Sequence, residues 1–392
     1  MLIIKILFWI CLLAVLYTYI GYPLLLVLLK MLFKKETKIS NINSFYPKVT
    51  LFVTAYNEAD FVDSKVKNSF ELDYPKDKLE FVWVTDGSDD KTNELLANYP
   101  EIKVYFKPER NGKINAMNRG MDFINSEIVI FSDGNTLLSP QTVSEMVKIF
   151  QNQKVGCIAG EKRILLSDKD DAATSGEGMY WKYESWVKNL DSELGSCIGA
   201  AGELFAIRKD LFFKVPEDTI LDDFIISLTI ASKGYKIAYA PNAYAMEKAS
   251  ANVAEEMKRK IRIAAGSIQS TVRLKKILNP FKYGFLSFQY ISHKIFRWII
   301  VPLALFIMFF ANGLLIIQQG FEHGLYLLIF MGQIVFYSFV LIGALFQNTK
   351  ISLPVLFVPY YFFMGNIAMW QGFFRYRKGK QSVNWERAKR AS

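Results

Sequence analysis

Histidine is nearly absent from this chain: there are 2, His293 and His323, both at the edges of a C-terminal hydrophobic region. A Ser-His-Asp triad or a histidine-ligated metal in the polar part of the chain is thereby excluded, and any acid–base chemistry must come from carboxylates. Cysteine is almost as scarce. The 3 cysteines, Cys11, Cys157 and Cys197, lie too far apart for a zinc site, and their odd number gives no disulfide framework. They suit a reducing cytosol. Acidic side chains are outnumbered, 37 Asp and Glu against 47 Lys and Arg, and the resulting net charge of +10 favours anionic partners. No basic run thick enough for a nucleic-acid tail occurs outside the flanks of the hydrophobic segments, which leaves nucleotide phosphates and acidic lipid headgroups rather than nucleic acid. The C-terminal hydrophobic segments also lack Asp and Glu, so nothing in them marks an ion path of the kind a transporter needs.

Long apolar runs, by contrast, are plentiful. Residues 1–33 are interrupted only by Lys5, Gly21, Pro23 and Lys30 and are long enough to cross a hydrocarbon core of about 30 Å. A cleaved leader would be shorter and would end in small residues. Lys30, Lys34, Lys35 and Lys38 follow the segment while Lys5 alone precedes it, which places what comes next in the cytosol.

From Val49 the pattern becomes one of alternating strands and helices. Val49 to Thr54, Leu79 to Thr85, Ile102 to Phe106 and Glu127 to Phe131 are strand-like, and each is followed by a polar turn and a helical stretch. That order predicts an α/β domain with a mostly parallel sheet. Its strands would end at Tyr56-Asn57-Glu58, Asp86-Gly87-Ser88 and Asp133-Gly134-Asn135, gathering three polar clusters on the rim where open α/β sheets bind ligands. A strand near Val155 to Ala159 and an aromatic helical stretch around Met179 to Leu190 follow. The small residues of Gly199-Ala200-Ala201-Gly202 then allow close backbone approach. A helix over 220–232 carries Asp222 and Asp223 at its start, where the helix dipole favours carboxylates and either could cap.

Residues 251–276 read as a basic helix broken by Pro280. The stretch 281–298 mixes rings with Lys282, His293, Lys294 and Arg297, the composition of a helix lying in the headgroup layer with its cations toward phosphates. Segments near 299–318, 324–347 and 353–374 are each long enough to span. One crossing before the domain and three after it would leave the tail outside. Yet Arg375, Arg377, Lys378, Lys380, Arg387, Lys389 and Arg390 mark residues 375–392 as cytosolic. The last segment, with Pro354 and Pro359, is the candidate for a re-entrant one.

Taken in order, these motifs resemble the membrane-embedded family 2 glycosyltransferases, the group that includes cellulose, hyaluronan and poly-N-acetylglucosamine synthases. The resemblance implies a GT-A fold over roughly residues 45–276, one N-terminal and about three C-terminal transmembrane helices over 299–374, a nucleotide-sugar donor and a divalent metal, Mg²⁺ or Mn²⁺. Val53-Thr54-Ala55-Tyr56-Asn57-Glu58 looks like the opening strand motif, which implies that Thr54, Tyr56 and Glu58 surround the base and ribose. Thr85-Asp86-Gly87-Ser88 is similar to the second motif with its first Asp replaced, so that Asp86 would accept from a uracil imide. Asn111-Gly112-Lys113-Ile114-Asn115-Ala116-Met117-Asn118 resembles the family's G-K-x-x-A-x-N run, with Lys113 near the diphosphate as a point cation. Asp133-Gly134-Asn135 resembles the metal-binding D-x-D motif with Asn135 for the second Asp. Leu221-Asp222-Asp223 resembles T-E-D, which implies that Asp223 is the catalytic base. Arg259-Lys260-Ile261-Arg262-Ile263 falls where polymerising members carry Q-x-x-R-W, with Arg262 matched, Arg259 in place of Gln and Ile263 in place of the Trp on which an acceptor sugar stacks. Asp222, Arg259 and Arg262 are the acceptor and diphosphate candidates.

The reaction so implied is an inverting transfer from a nucleotide-sugar, of the UDP type, to a lipid-linked or growing glycan. It would take place at the cytoplasmic face of the cell membrane, in surface polysaccharide synthesis. A distributive enzyme would need a separate export partner; a processive synthase would pass its polymer through its own spans. A catalytically silent nucleotide-binding scaffold is the alternative from another class, supported by Thr85 and Asn135 and opposed by Asp86, Asp133 and Asp223.

Overall fold

The computed structural model describes residues 1–33, 45–165, 172–248, 250, 252–319, 324–346 and 354–382. Lys34, Lys35, Lys38, His323, Arg387, Lys389 and Arg390, invoked above for sidedness and chemistry, lie outside the described residues. Helices α1 (Leu2–Leu16) and α2 (Tyr22–Leu32) are joined by a π-helical turn at Tyr17–Gly21 into one apolar rod. The α/β part then runs β1 (Val49–Ala55), α3 (Val62–Phe70), β2 (Leu79–Asp86), α4 (Thr92–Leu96), β3 (Ile102–Lys107), α5 (Lys113–Gly120), β4 (Ile128–Asp133), β5 (Leu137–Leu138), α6 (Thr142–Phe150), β6 (Val155–Leu165), α7 (Ala172–Leu194), β7 (Leu204–Arg208), α8 (Asp222–Ser232), β8 (Lys236–Lys248) and α9 (Val253–Arg273). The chain closes with α10 (Pro280–Tyr290), a π-helical segment at Ile291–Ile300, α11 (Val301–Gln319), α12 (Gly324–Phe346) and α13 (Pro354–Arg377).

The strands form one sheet of order β3-β2-β1-β4-β7-β6-β8-β5. β3, β2, β1 and β4 are parallel, β7 is antiparallel to both its neighbours, and β6 pairs with β8 in parallel. Burial on both faces explains the unbroken apolar runs. Phe52, Val84 and Phe131 point to one core with Met117 and Phe205, while Leu51, Trp83 and Ile130 point to the other with Met146 and Phe150. The predicted mostly parallel sheet is therefore present, in mixed form.

Among the described residues three helices are long and apolar enough to cross a membrane: Leu2–Leu32, Pro280–Gln318 and Gly324–Phe346. Phe8 and Cys11 of the first pack on Ala304, Met308, Ala311 and Leu315 of the second, and Trp9 donates to the Tyr326 hydroxyl of the third at 3.1 Å. The predicted segment at 353–374 is not among them. Its helix α13 packs along α9, where a side chain at Gly372 would bring a Cβ within 2.5 Å of the Ala264 Cβ and 2.7 Å of the Ala265 nitrogen.

The expectation that the cations of 281–298 face lipid phosphates is corrected for three of them, while Lys282 is exposed. His293, Lys294 and Arg297 are buried against α7. Lys294 donates to Glu184 at 2.6 Å, Arg297 also pairs with Glu184, and the His293 Nδ1 lies 2.6 Å from Asp191. Tyr22 of α2 donates to the same Asp191, so one buried polar knot joins the first two apolar rods to the α/β domain. An ion pair closes inward when carboxylates are at hand, because a buried charge without a partner costs several kcal/mol.

Candidate functional site

Parallel strands β2, β1 and β4 end side by side, with Ala55 in register with Thr85 and Thr54 in register with Asp133. The polar residues after them share one rim, as the alternation of elements predicted. Beside this rim opens a cleft of about 480 Å³, walled also by the turn at 202–203, the start of α8 and one face of α9. Thr54, Glu58, Lys113, Asp133, Asn135, Asp222, Asp223, Arg259 and Arg262 all line it. Of the site residues read from sequence, Tyr56 and Asp86 stand off its wall.

Each of those two has a different employment. The Arg110 guanidinium lies 3.7 Å above the centre of the Tyr56 ring, a stacked cation that sequence reading did not single out. Asp86 is buried, and its carboxylate accepts the backbone N–H groups of Asn111 at 3.1 Å and Gly112 at 2.6 Å. Each oxygen takes one backbone donor and keeps a further lone pair, so Asp86 holds the loop that delivers Lys113 and retains acceptor capacity of the kind a base would use. That loop needs Gly112, whose φ of +93° is one that side-chain-bearing residues avoid. Burial raises the Asp86 carboxyl above its ordinary range, against the pull of the two N–H donors. Thr85 is also buried, its hydroxyl donating to Asn93 at 2.8 Å, which accounts for a neutral residue there.

At the centre of the cleft Lys113 donates to Asp133 at 2.7 Å and lies 3.7 Å from Asp222. Burial alone would lower the Lys113 ammonium, but Asp133 and Asp222 outweigh it and hold it above its usual value. Asp222 and Asp223 open α8 in its first turn behind Leu221, which makes no side-chain cap, and the Asp223 carboxylate also accepts from the Phe224 backbone N–H. Asp222 is buried, and its Oδ2 has no hydrogen-bond partner among the described residues. Asp223 is pushed up to about 7, by burial first and by the adjoining Asp222 carboxylate next, with Lys113 pulling the other way. A carboxyl poised near neutrality can take up a proton at working pH.

The α9 wall is basic. Arg259 is engaged by both oxygens of Glu256, at 3.0 and 3.1 Å. Arg262 has no hydrogen-bond or ion-pair partner among the described residues and faces the cleft, as does Ile263 beside it. Four wall residues that sequence reading did not single out are Glu203, Arg375 near the end of α13, and Gln381 and Ser382 from the stretch after it. Glu203 and Glu247 flank the buried Lys162, with Glu247 at 2.6 Å. Burial would raise Glu203, but its Lys162 partner keeps the carboxyl well below the usual range.

Lys65 was missed as well. It is wholly buried on α3 and donates to the Ser132 hydroxyl and the Thr136 carbonyl, both at 2.7 Å, clamping the two ends of the Asp133–Asn135 turn. Burial lowers it to about 7, against the pull of Asp133. Nothing in a single lysine on a short helix signals this.

Among the described residues no group of three or more His, Cys, Asp or Glu could hold a metal by itself. Asp133 and Asn135, however, offer two hard oxygens to the cleft, a donor set that fits Mg²⁺ or Mn²⁺ when the remaining positions are filled by ligand oxygens and water.

Comparison with known proteins places this geometry. The model of the family described as glycosyltransferase like family 2 matches residues 47–266, more than half of the chain. A poly-beta-1,6-N-acetyl-D-glucosamine synthase of Staphylococcus aureus is 25% identical over 235 residues, which cover 57% of this chain and 56% of that protein. A probable glycosyltransferase, YdaM, of Bacillus subtilis is 25% identical over 224 residues, 52% of this chain and 51% of its own length. The chain thus matches a little over half the length of these relatives. Among solved structures, the mannosyltransferase PcManGT of Pyrobaculum calidifontis, in complex with GDP-Man and Mn²⁺, superposes with a TM-score of 0.70 at 22% identity, over 95% of this chain and 99% of that one. At that identity the likeness speaks for the fold.

Proposed function

The chain belongs to the glycosyltransferase-like family 2, and from that premise we propose that it is an inverting glycosyltransferase. It moves a sugar from a nucleotide-sugar, of the UDP type, to a lipid-linked or growing glycan at the cytoplasmic face of the cell membrane. The observation that carries this reading is the convergence of Asp133, Lys113, Asp223 and Arg262 on one cleft at the carboxyl ends of β1 and β4. Such a set can grip a diphosphate at one end and deprotonate a hydroxyl at the other.

In this reading Asp223 accepts the proton of the acceptor hydroxyl. The oxygen forms its bond to the anomeric carbon as the bond to the diphosphate breaks, and the configuration inverts. Asp222 stays buried beside the base and keeps its proton affinity high. Arg262 and Arg375, both facing the cleft, answer the charge of the departing nucleoside diphosphate. A divalent cation, when bound, neutralises phosphate charge, and Asp133 and Asn135 are the residues that would hold it. Thr54 and Glu58 lie at the rim end, toward the base and ribose, beside the Tyr56–Arg110 stack.

The three apolar rods found among the described residues support the proposed sidedness. One crossing before the domain and two after it return the chain to the domain's own side, which agrees with Arg375 lining the same cleft as Asp223. With Lys30 at the domain end of the first rod, paired to Glu193 at 2.6 Å, the positive-inside rule puts that side in the cytosol. Three rods and Ile263 at the acceptor-stacking position favour short, distributive extension with export left to a partner. The proposal is tested by incubating the purified chain with UDP- and GDP-sugars and Mg²⁺ or Mn²⁺, scoring nucleoside diphosphate release and product length. Release with short products is expected; no release from any donor contradicts the reading, and long polymer contradicts its distributive part.

A further inference from the structure

Lys113 stands where two cations cannot both be served. Its ammonium is 2.7 Å from Asp133 and 3.7 Å from Asp222, and a Cβ built on Gly202 would lie 3.5 Å from the same nitrogen and 3.6 Å from the Asp223 Oδ2. The one carboxylate among the two candidate metal-holding residues thus already has an internal cation on its Oδ1. Its companion, Asn135, brings only a neutral amide oxygen. Behind the ammonium, the buried Asp222 has an oxygen with no hydrogen-bond partner and therefore resists losing its nearest cation. A dication placed on Asp133 would meet the ammonium at close range, where like charges repel.

We propose that Lys113 is a built-in competitor for the divalent ion. The ion then binds as a partner of the nucleoside diphosphate and not ahead of it. The diphosphate relieves the conflict twice over: its oxygens draw the lysine off Asp133, and they supply the ligands that Asp133 and Asn135 cannot. Arg262, which faces the cleft and already feels the charge of Asp222, Asp133 and Asp223, remains to balance Asp222 and Asp223 when Lys113 leaves. Because linkage is reciprocal, the factor by which the nucleotide raises metal affinity must equal the factor by which the metal raises nucleotide affinity. This inference rests on the donor site proposed above.

The test is a Mn²⁺ titration of the full chain in detergent, followed by the electron paramagnetic resonance signal of free Mn²⁺, with and without UDP. The wild type should bind Mn²⁺ at least tenfold more weakly without UDP than with it. Lys113→Met should bind Mn²⁺ without UDP about tenfold more tightly than the wild type and lose most of the coupling. Lys113→Arg should retain the block. Equal nucleotide-free affinity in wild type and Lys113→Met overturns the inference, as does an absence of Mn²⁺ binding in every arm. Should Lys113→Met fail to fold, the wild type decides by itself: Mn²⁺ held as tightly without UDP as with it removes the competition. Failure of the donor site has its own signature, no binding of UDP or GDP by the wild type in calorimetry, and the nucleotide-free comparison then still decides the role of Lys113.

Discussion

Gly372 of α13 rests on Ala264 of α9 with no room for a side chain, since a Cβ there would fall 2.5 Å from the Ala264 Cβ. One helical turn later, Arg375 lines the cleft that holds Asp223. The close approach thus sets where the C-terminal helix delivers its cation.

Two substitutions probe that link. Arg375→Gln should raise the donor KM roughly fivefold, about 1 kcal/mol for an exposed charge on a phosphate, with folding intact. Gly372→Val should reproduce that change and lower the melting temperature in addition, because α13 must lift off α9. A donor KM unchanged by Arg375→Gln would remove the C-terminal stretch from the site.

Asp223→Asn should reduce turnover by about 10²–10⁴-fold, the range for loss of a general base, while leaving donor KM nearly as it was. Turnover that survives the change would revive the silent-scaffold alternative for this carboxylate. In the wild type the rate should climb tenfold per pH unit up to about 7 and level off above it, since the base works deprotonated and titrates near 7.

The same group gives a stability prediction of fixed sign. Burial and the adjoining Asp222 hold the Asp223 carboxyl at about 7 in the folded chain, above the ordinary aspartate value of about 4. Its stabilising contribution is therefore complete below about 4 and lost as pH rises through 7. Relative to Asp223→Asn, the wild type should lose melting temperature between pH 4 and 8, and a difference constant with pH would contradict the buried setting assigned to it.

Much of this was legible in the chain. Strands β1, β2 and β3 begin at Val49, Leu79 and Ile102, where the apolar stretches begin. Asp133, Asp222 and Asp223 were findable because each stands at the edge of such an element. His293, Lys294 and Arg297 were misjudged for a physical reason. Their partners, Glu184 and Asp191, lie about a hundred positions earlier on a helix that itself reads as merely polar and aromatic. Lys65 was invisible because burial of a lysine depends on what packs over it, and the hold of Asp86 on the Asn111–Gly112 loop was invisible because its partners there are backbone groups, which composition does not show.

Lys65→Met should cost about 1–3 kcal/mol, the range for a buried acceptor left without its donor, here the Thr136 carbonyl. Chemical denaturation should show that loss together with weaker Mn²⁺ binding in the presence of UDP, since the turn at Asp133 loses its clamp. Unchanged Mn²⁺ binding would make Lys65 a packing residue alone.

Glu184→Gln leaves Lys294 and Arg297 without their shared carboxylate. Removing one partner of a buried pair costs about 3–5 kcal/mol. The full chain in detergent should melt well below the wild type, and a melting temperature within a degree or two of it would mean that the polar knot does not tie the apolar rods to the domain.

The account's central claim is a single displacement driven by the carboxylate at 223, and the anomeric configuration of the first-formed product tests it most directly. Proton magnetic resonance of the product released from an α-linked nucleotide-sugar should show a β linkage that appears at the full initial rate in the wild type and is lost in Asp223→Asn. An α-linked product would require two displacements or a different attacking group, and would contradict the role given to Asp223.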